Sequence, residues 1–228
     1  MTNLEILKQI HSGLIVSCQA LEDEPLHSSF IMGRMAFAAF QGGAVGIRAN
    51  TPEDITEIKR QVPLPVIGIV KRDFPDSPVR ITPTMEEVRA LADCGAEIIA
   101  SDATSRLRPG GVSLDEFFQE ARREFPNQLF MADCATLEEA RHAEQLGFDL
   151  VGTTLRGYTA DTEGITIPDY PLLRQLAQEL SCPVIAEGGI WSPEQLRQAI
   201  GCGVHACVVG TAITRPREIT RRYADALR

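Results

Sequence analysis

Eight short apolar runs, capped amphipathic stretches between them and an even composition from end to end predict a single-domain (β/α)8 barrel of the TIM type over residues 1–228. The runs are Leu14–Ala20, Ala44–Ala49, Pro65–Lys71, Glu97–Ala103, Leu129–Cys134, Leu150–Leu155, Pro183–Glu187 and Ala206–Ile213. Most are apolar throughout rather than alternating, as parallel strands covered on both faces are. The helices announce their starts: TPEDITEIKRQV opens at Thr51 with Pro52 in its first turn, TMEEVRALADCG at Thr84, and SPEQLRQAIGCG at Ser192 followed by Pro193 and Glu194. Gly95, Gly147 and Gly203 end helical stretches where a left-handed cap needs no Cβ. Eight successive β-then-α units favour closure over an open doubly wound sheet.

Composition narrows the partners. A net charge of -9 and a pI near 5.0 leave no broad basic surface for nucleic acid or an anionic membrane. A small anion is still allowed, because backbone amides and one or two arginines hold a phosphate inside an acidic protein. The six cysteines form no Cys-x-x-Cys pair and sit mostly in apolar segments, so they read as buried hydrophobes in a reducing compartment. Polar residues interrupt the N-terminal MTNLEILKQIHSG, and no long apolar run occurs elsewhere. No signal peptide or membrane span is expected, and the expected location is the cytoplasm.

In a barrel the chemistry belongs at the C-terminal ends of the strands. Taken in order, those ends carry Gln19, Arg48, Lys71, Asp102, Asp133, Thr154 and Glu187, with Thr211 and Arg215 just past the eighth, whereas the strand starts offer mostly proline, leucine and alanine. Side chains two apart share a face. Lys71 in the mouth therefore puts Ile69 and Ile67 beneath it, and Glu187 stands over Ile185, Asp133 over Met131 and Arg48 over Gly46. Strands three and seven are diametrically placed in an eight-stranded ring, so Lys71 and Glu187 face one another across it. Gly188 and Gly189 after strand seven, with Gly210 and Thr211 after strand eight, supply backbone amides where this fold commonly binds phosphate. Trp191 and Tyr158 are candidates for the pocket wall.

Other constellations are weaker. His11, His27, His142 and His205 fall on helices, loops or strand starts, so no histidine metal cluster is expected. The acidic group Glu22–Glu24 reads as a solvated loop, and Cys134 has no histidine nearby in sequence to make a thiolate nucleophile.

The blocks GLIVSCQALEDEPLH, PVIGIVKRDFPDSPVRITPT, SDATSRLRPGG, MADCATLEEA, VGTTLRGYT, PVIAEGGIWSPEQ and VVGTAITRP resemble the bacterial N-acylmannosamine-6-phosphate 2-epimerase family over nearly the whole chain. The Lys-Arg-Asp and Gln-Ala-Leu-Glu-Asp-Glu-Pro-Leu-His blocks are specific, while the glycine loops are common to many phosphate-binding barrels. The resemblance implies interconversion of N-acetylmannosamine 6-phosphate and N-acetylglucosamine 6-phosphate in sialic acid catabolism, with no redox cofactor. It puts the catalytic lysine on Lys71, the catalytic glutamate on Glu187, and substrate contacts on Gln19, Arg48, Asp133 and Arg215. Two positions depart from the family pattern: Arg156, where a small polar residue is usual, and Gly189, where a basic or polar one is frequent.

Inversion at carbon 2 requires a base, an acid, an oxyanion stabiliser and a phosphate anchor. Lys71 and Glu187 supply the pair, either as opposed bases or with Lys71 shuttling the proton while Glu187 serves ring opening. Arg48 suits the oxyanion or acyl carbonyl, Gln19 and Asp133 the sugar hydroxyls, Arg215 the phosphate. The rivals are another phosphosugar isomerase or lyase on the same barrel, and a non-catalytic sensor of amino-sugar phosphates. The terminal PREITRRYADALR offers a surface for a homodimer.

Overall fold

β1 (Leu14–Cys18) and β8 (Ala206–Val209) lie side by side in parallel, and that pairing closes the sheet into a barrel. The computed structural model describes every residue from Met1 to Arg228. Between these strands come β2 (Gly46–Asn50), β3 (Val66–Ile69), β4 (Ile98–Asp102), β5 (Leu129–Asp133), β6 (Leu150–Gly152) and β7 (Val184–Glu187), each parallel to its neighbours in chain order. The eight expected runs thus form one closed ring.

Eight helices alternate with the strands or precede them: α1 (Asn3–Ile10), α2 (Ser29–Gln41), α3 (Pro52–Gln61), α4 (Met85–Asp93), α5 (Leu114–Glu124), α6 (Leu137–Leu146), α7 (Tyr170–Glu179) and α8 (Pro193–Ile200). After β8 come the short α9 (Thr211–Thr214) and the terminal α10 (Pro216–Asp225). The caps read from the sequence are in place. Thr51 accepts the Asp54 amide, and Thr84 and Ser192 form capping boxes with Glu87 and Gln195. Gly95, Gly147 and Gly203 take φ of 78°, 96° and 92°, left-handed as expected at helix ends. No helix is long and apolar enough to cross a membrane.

The period of the side chains separates two cores. Ile15, Ile67, Ile69, Ile98, Met131, Leu150, Ile185 and Val208 fill the barrel interior, and the larger cluster lies between the outer faces of the strands and the helices. Ile6 and Ile10 of α1 join the inner set, so this helix stoppers the bottom of the barrel. His205 at the foot of β8 ties it there by a 2.9 Å contact between Nε2 and the Leu7 carbonyl. The bottom is sealed by apolar packing and the top is left for polar groups.

Four strands stop two or more residues earlier than their apolar runs suggest, β1 at Cys18 rather than Ala20 among them. β8 ends at Val209, not Ile213, because Gly210 turns the backbone to φ −111°, ψ −86° and α9 begins at once. Thr214 secures that turn by donating 2.7 Å to the Ser17 carbonyl. β6 ends at Gly152, since Leu155–Tyr158 closes turns rather than extending. β3 ends at Ile69, and Lys71 instead pairs antiparallel with Ile81 of the following hairpin. α10 buries no residue of its own.

The inner core predicts its own test. Ile67→Ala removes a side chain 2% exposed and should cost ~2–5 kcal/mol in urea unfolding, whereas Ile213→Ala at a half-exposed site should cost less than ~0.5 kcal/mol.

Candidate active site

The strand ends open into one cavity of about 600 Å³ lined by Gln19, Arg48, Lys71, Thr154, Glu187, Gly188, Gly189, Gly210, Thr211 and Arg215 among others. Nine of the ten residues assigned to the site from sequence are on its wall. Asp133 is the exception, and its position is a correction: it is 0% exposed and lies under the floor. Its carboxylate is fully engaged, accepting from both terminal nitrogens of Arg48 at 3.1 and 2.5 Å and from the Thr154 hydroxyl at 2.6 Å. Buried in this way, it presents no surface to the cavity.

Arg48 departs from expectation for the same reason. Its side chain is 1% exposed, and the nitrogen that meets Asp133 also meets Glu187 Oε2 at 2.9 Å. With two carboxylates on its fork, Arg48 is an organiser of anions at the cavity floor rather than a free donor to an oxyanion. Thr154 completes the set by standing between Asp133 and Glu187, 3.1 Å from Glu187 Oε2. Glu187 is thereby held from below, and burial raises its pKa against the pull of Arg48.

Lys71 stands differently. Its backbone amide donates 2.8 Å to Asn50 Oδ1 at the end of β2, but its ammonium has no carboxylate partner. Burial lowers its pKa to about 8, helped by the Arg48, Arg215 and Arg80 charges and opposed by Glu187. The interior stack beneath it, Ile69 over Ile67, is as the side-chain period requires. Arg72 points away to Glu86 and Glu87 of α4, and Asp73 pairs with Arg80, so both serve the loop.

The glycine loops supply donors. The amides of Gly188, Gly189 and Gly210 make no hydrogen bond inside the protein, which leaves three N–H groups at the ends of β7 and β8. Gly189 cannot be a larger residue here: φ is 71°, and a Cβ would meet the Ile167 carbonyl carbon and oxygen at 2.5 Å. Arg156, the other departure from the family pattern, turns away from the mouth to pair with Asp169 at 2.7 Å and to donate to the Ala135 carbonyl.

Arg215 lines the cavity beside these amides with Glu24 holding its guanidinium at 3.0 Å. Glu24, expected in a solvated loop, is only 9% exposed on its side chain and also accepts from the Leu21 amide, so the loop after β1 braces the arginine. Gln19 donates to Ser17 Oγ at 2.9 Å, leaving its buried carbonyl oxygen unpartnered at the cavity. Trp191 and Tyr158 line the wall, Tyr158 at 66% exposure on the rim.

Sequence reasoning missed Ser17, Arg80, Asp102 as an engaged group, and Arg106. Asp102 accepts from Thr104 and, at 2.6 Å, from Arg106. Arg80 and Arg106 reach the cavity from the two loops that follow β3 and β4. The signal was present in the length of those loops, fifteen and eleven residues between strand and helix interrupted only by the 3-10 turn Pro109–Gly111. Cys134 is fully buried and its thiol is pushed well up by desolvation, so it is not a nucleophile. No three His, Cys, Asp or Glu side chains converge as a metal site would require.

Residues 32–228 match the family model described as "Putative N-acetylmannosamine-6-phosphate epimerase". A protein of Listeria monocytogenes serotype 4b (strain F2365), named "Putative N-acetylmannosamine-6-phosphate 2-epimerase", is 52% identical over 225 residues, 98% of this chain and 97% of its own. One of the same name from Enterobacter sp. (strain 638) is 54% identical over 228 residues, 99% of this chain and 96% of its own. Among solved structures, the N-acetylmannosamine-6-phosphate 2-epimerase from Clostridium perfringens superposes with a TM-score of 0.92 at 50% identity, covering 96% of this chain and 95% of that one. The thiamine phosphate pyrophosphorylase from Pyrococcus furiosus, at 19% identity and a TM-score of 0.61 over 94% of this chain and 98% of its own, shares the fold alone. By its family model and by relatives alike over nearly their full length, the chain belongs to the N-acetylmannosamine-6-phosphate epimerase family.

Proposed function

We propose that the chain interconverts N-acetylmannosamine 6-phosphate and N-acetylglucosamine 6-phosphate by moving the hydrogen at sugar carbon 2. The observation that carries this reading is Lys71: an amine with no carboxylate partner, its pKa lowered to about 8, facing Glu187 across a cavity rimmed by free glycine amides. Membership of the family supports the substrate.

The phosphate would sit on the amides of Gly188, Gly189, Gly210 and Thr211 with Arg215 beside it, since oriented N–H groups and one guanidinium match a dianion. The sugar then lies across the mouth toward Lys71. Its ring opens to an aldehyde at carbon 1, which makes the carbon-2 hydrogen acidic enough to remove. Lys71 takes that proton as a neutral amine, and the electron pair moves into an enolate. Return of the proton to the other face gives the epimer. Glu187 serves the easier transfers on oxygen, at ring opening and closing, because Arg48 and Thr154 pin one of its oxygens and leave the other for a hydroxyl. Gln19, with an unpartnered carbonyl oxygen, accepts from a sugar hydroxyl or the amide N–H.

Removing the amine should stop carbon-2 chemistry and leave the fold. Lys71→Met should slow exchange of the carbon-2 hydrogen with deuterated water, followed by NMR, by at least ~1000-fold. It should also unfold at the same or a higher temperature at pH 7. The sign follows from linkage: a lysine with a depressed native pKa binds fewer protons folded than unfolded between about 8 and its ordinary value. Its charged form therefore costs stability at pH 7, and that cost fades as pH rises above 8. Near-normal exchange in the variant removes Lys71 from the chemistry.

The same amine predicts a pH profile. kcat/KM should rise with pH through an apparent pKa near 8 as Lys71 becomes neutral. A bound phosphate masks Arg215 and adds negative charge, so the limb in kcat should lie higher than the limb in kcat/KM. A flat profile from pH 6 to 10 contradicts the assignment. For the anchor, Arg215→Met should raise KM by roughly ten- to hundredfold, and unphosphorylated N-acetylmannosamine turned over as well as the phosphate ester would refute the site.

A further inference from the structure

The hairpin after β3 is locked from behind by a second loop, and the lock is a buried cation with no counter-ion. Arg108 is 2% exposed. Its guanidinium donates to the Thr82 carbonyl at 3.0 Å, to the Pro83 carbonyl at 3.1 Å and to the Asp102 carbonyl, and lies 3.6 Å over the Phe117 ring. No carboxylate pairs with it, and burial pulls its pKa down to about 10. A cation desolvated in this way is poorly suited to stabilising a fold, where an apolar side chain of similar volume generally does as well. What it does provide is direction, because a rigid planar fork fixes three carbonyls at once.

The Thr82 and Pro83 carbonyls belong to the segment that frames Lys71, and that of Asp102 ends β4. Thr82 is wholly buried with φ at 46°, a left-handed conformation that a β-branched residue rarely holds. Its hydroxyl donates 2.6 Å to the Ala100 carbonyl of β4 and accepts the Val70 amide, while its own amide donates 2.7 Å to the Val70 carbonyl. One residue before it, Ile81 pairs with Lys71, and its carbonyl accepts the Asp102 amide. The hairpin tip is latched to the same second loop by Ser77 Oγ on the Leu107 carbonyl and by the Gly110 amide on Asp76, both at 2.8 Å. Lys71 is thus fixed on the β2 side by Asn50 and on the other side by a hairpin whose conformation Arg108 holds.

We propose that Arg108 is a positioning residue for Lys71, acting through the carbonyls of Thr82 and Pro83 to keep the hairpin of residues 71–82 closed against the barrel mouth. The proposal rests on the reading of Lys71 as the proton-transfer group. Pro78, Arg80 and Ile81 of that hairpin are cavity wall, so loosening it both displaces the amine and lets water reach it. The charges that face the amine are Arg48 from β2, Arg80 from the hairpin, Asp102 and Arg106 from β4 and its loop, Glu187 from β7 and Arg215 after β8. None of these charges is removed by a change at Arg108.

The test is Arg108→Lys, which keeps the charge and loses the fork. kcat should fall at least about tenfold with KM moved less than about threefold, because a small displacement of a reacting group acts on the chemical step rather than on binding. Independently of turnover, the pH dependence of Lys71 labelling by an amine-acylating reagent, read by mass spectrometry, should have its midpoint near 8 in the native enzyme and higher in the variant. A role in stability alone lowers the unfolding temperature and moves neither kcat at 25 °C nor the labelling midpoint, and that result overturns the proposal. Should Arg108→Lys fail to fold, Thr82→Ala, which removes only the hydroxyl, carries the same two expectations. Failure of both variants to fold makes the clamp a stability device and also overturns it. An inactive native enzyme with a normal labelling midpoint counts against the epimerase reading and leaves the clamp to be judged on the labelling shift.

Discussion

A guanidinium at the floor of the barrel, Arg48, binds Asp133 and Glu187 together, and the polar arrangement above it depends on that contact. Asp133 comes from β5 and Glu187 from β7, so the arginine of β2 spans the ring. Two carboxylates in a desolvated site repel, and each alone would take up a proton rather than stay charged. With Arg48 between them, Asp133 is satisfied on both oxygens and Glu187 on one. The remaining Glu187 oxygen and the Lys71 amine are left without an ionic partner, as the proton-transfer roles proposed for them require. Replacing Arg48 strands both carboxylates in the interior, and stranding a buried charge costs about 3–5 kcal/mol.

The division between floor and wall explains how one acidic chain handles an acidic substrate. The net charge of -9 lies elsewhere on the molecule, while the cavity collects Arg48, Lys71, Arg80, Arg106 and Arg215 against Asp102 and Glu187. Most of those arginines are already paired: Arg80 with Asp73, Arg106 with Asp102, Arg215 with Glu24. Pairing fixes their positions and leaves Lys71 as the cavity-lining cation without a partner. Its pKa is depressed first by burial and then by the charges of Arg48, Arg215 and Arg80, which Glu187 offsets only in part.

Much of this was legible in the sequence because period and position carry it. A strand of four or five residues with apolar interior parity fixes which side chain tops it, so Ile67, Ile69 and Lys71 could be stacked from sequence alone. The eight runs, their order and the caps at Thr51, Thr84 and Ser192 are local features, and the structure agrees with each. The roles of Arg48 and Asp133 were not legible. Whether a polar residue at a strand end faces the ligand or another strand's side chain depends on distances across the ring, and a linear sequence does not encode them. The early ends of β6 and β8 were missed for a related reason: Leu155 and Ile213 are apolar, yet turns at Thr153–Tyr158 and Gly210 take them off the sheet.

Arg108 belongs to the same class of hidden residue, and it shows why. By composition SRLRPGG is a basic loop, and solvent is the default place for an arginine there. Its burial follows from the strain at Thr82: a β-branched residue at positive φ holds only if its neighbours over-determine it. The hydroxyl bonds to Ala100 and Val70 supply part of that constraint, and the carbonyl needs a donor that reaches it from outside the hairpin. A side-chain amide has two N–H donors and would satisfy at most two carbonyls. The guanidinium satisfies three from two strands' loops, at the cost of desolvating a charge, and so couples β3 and β4 at the point where the amine emerges.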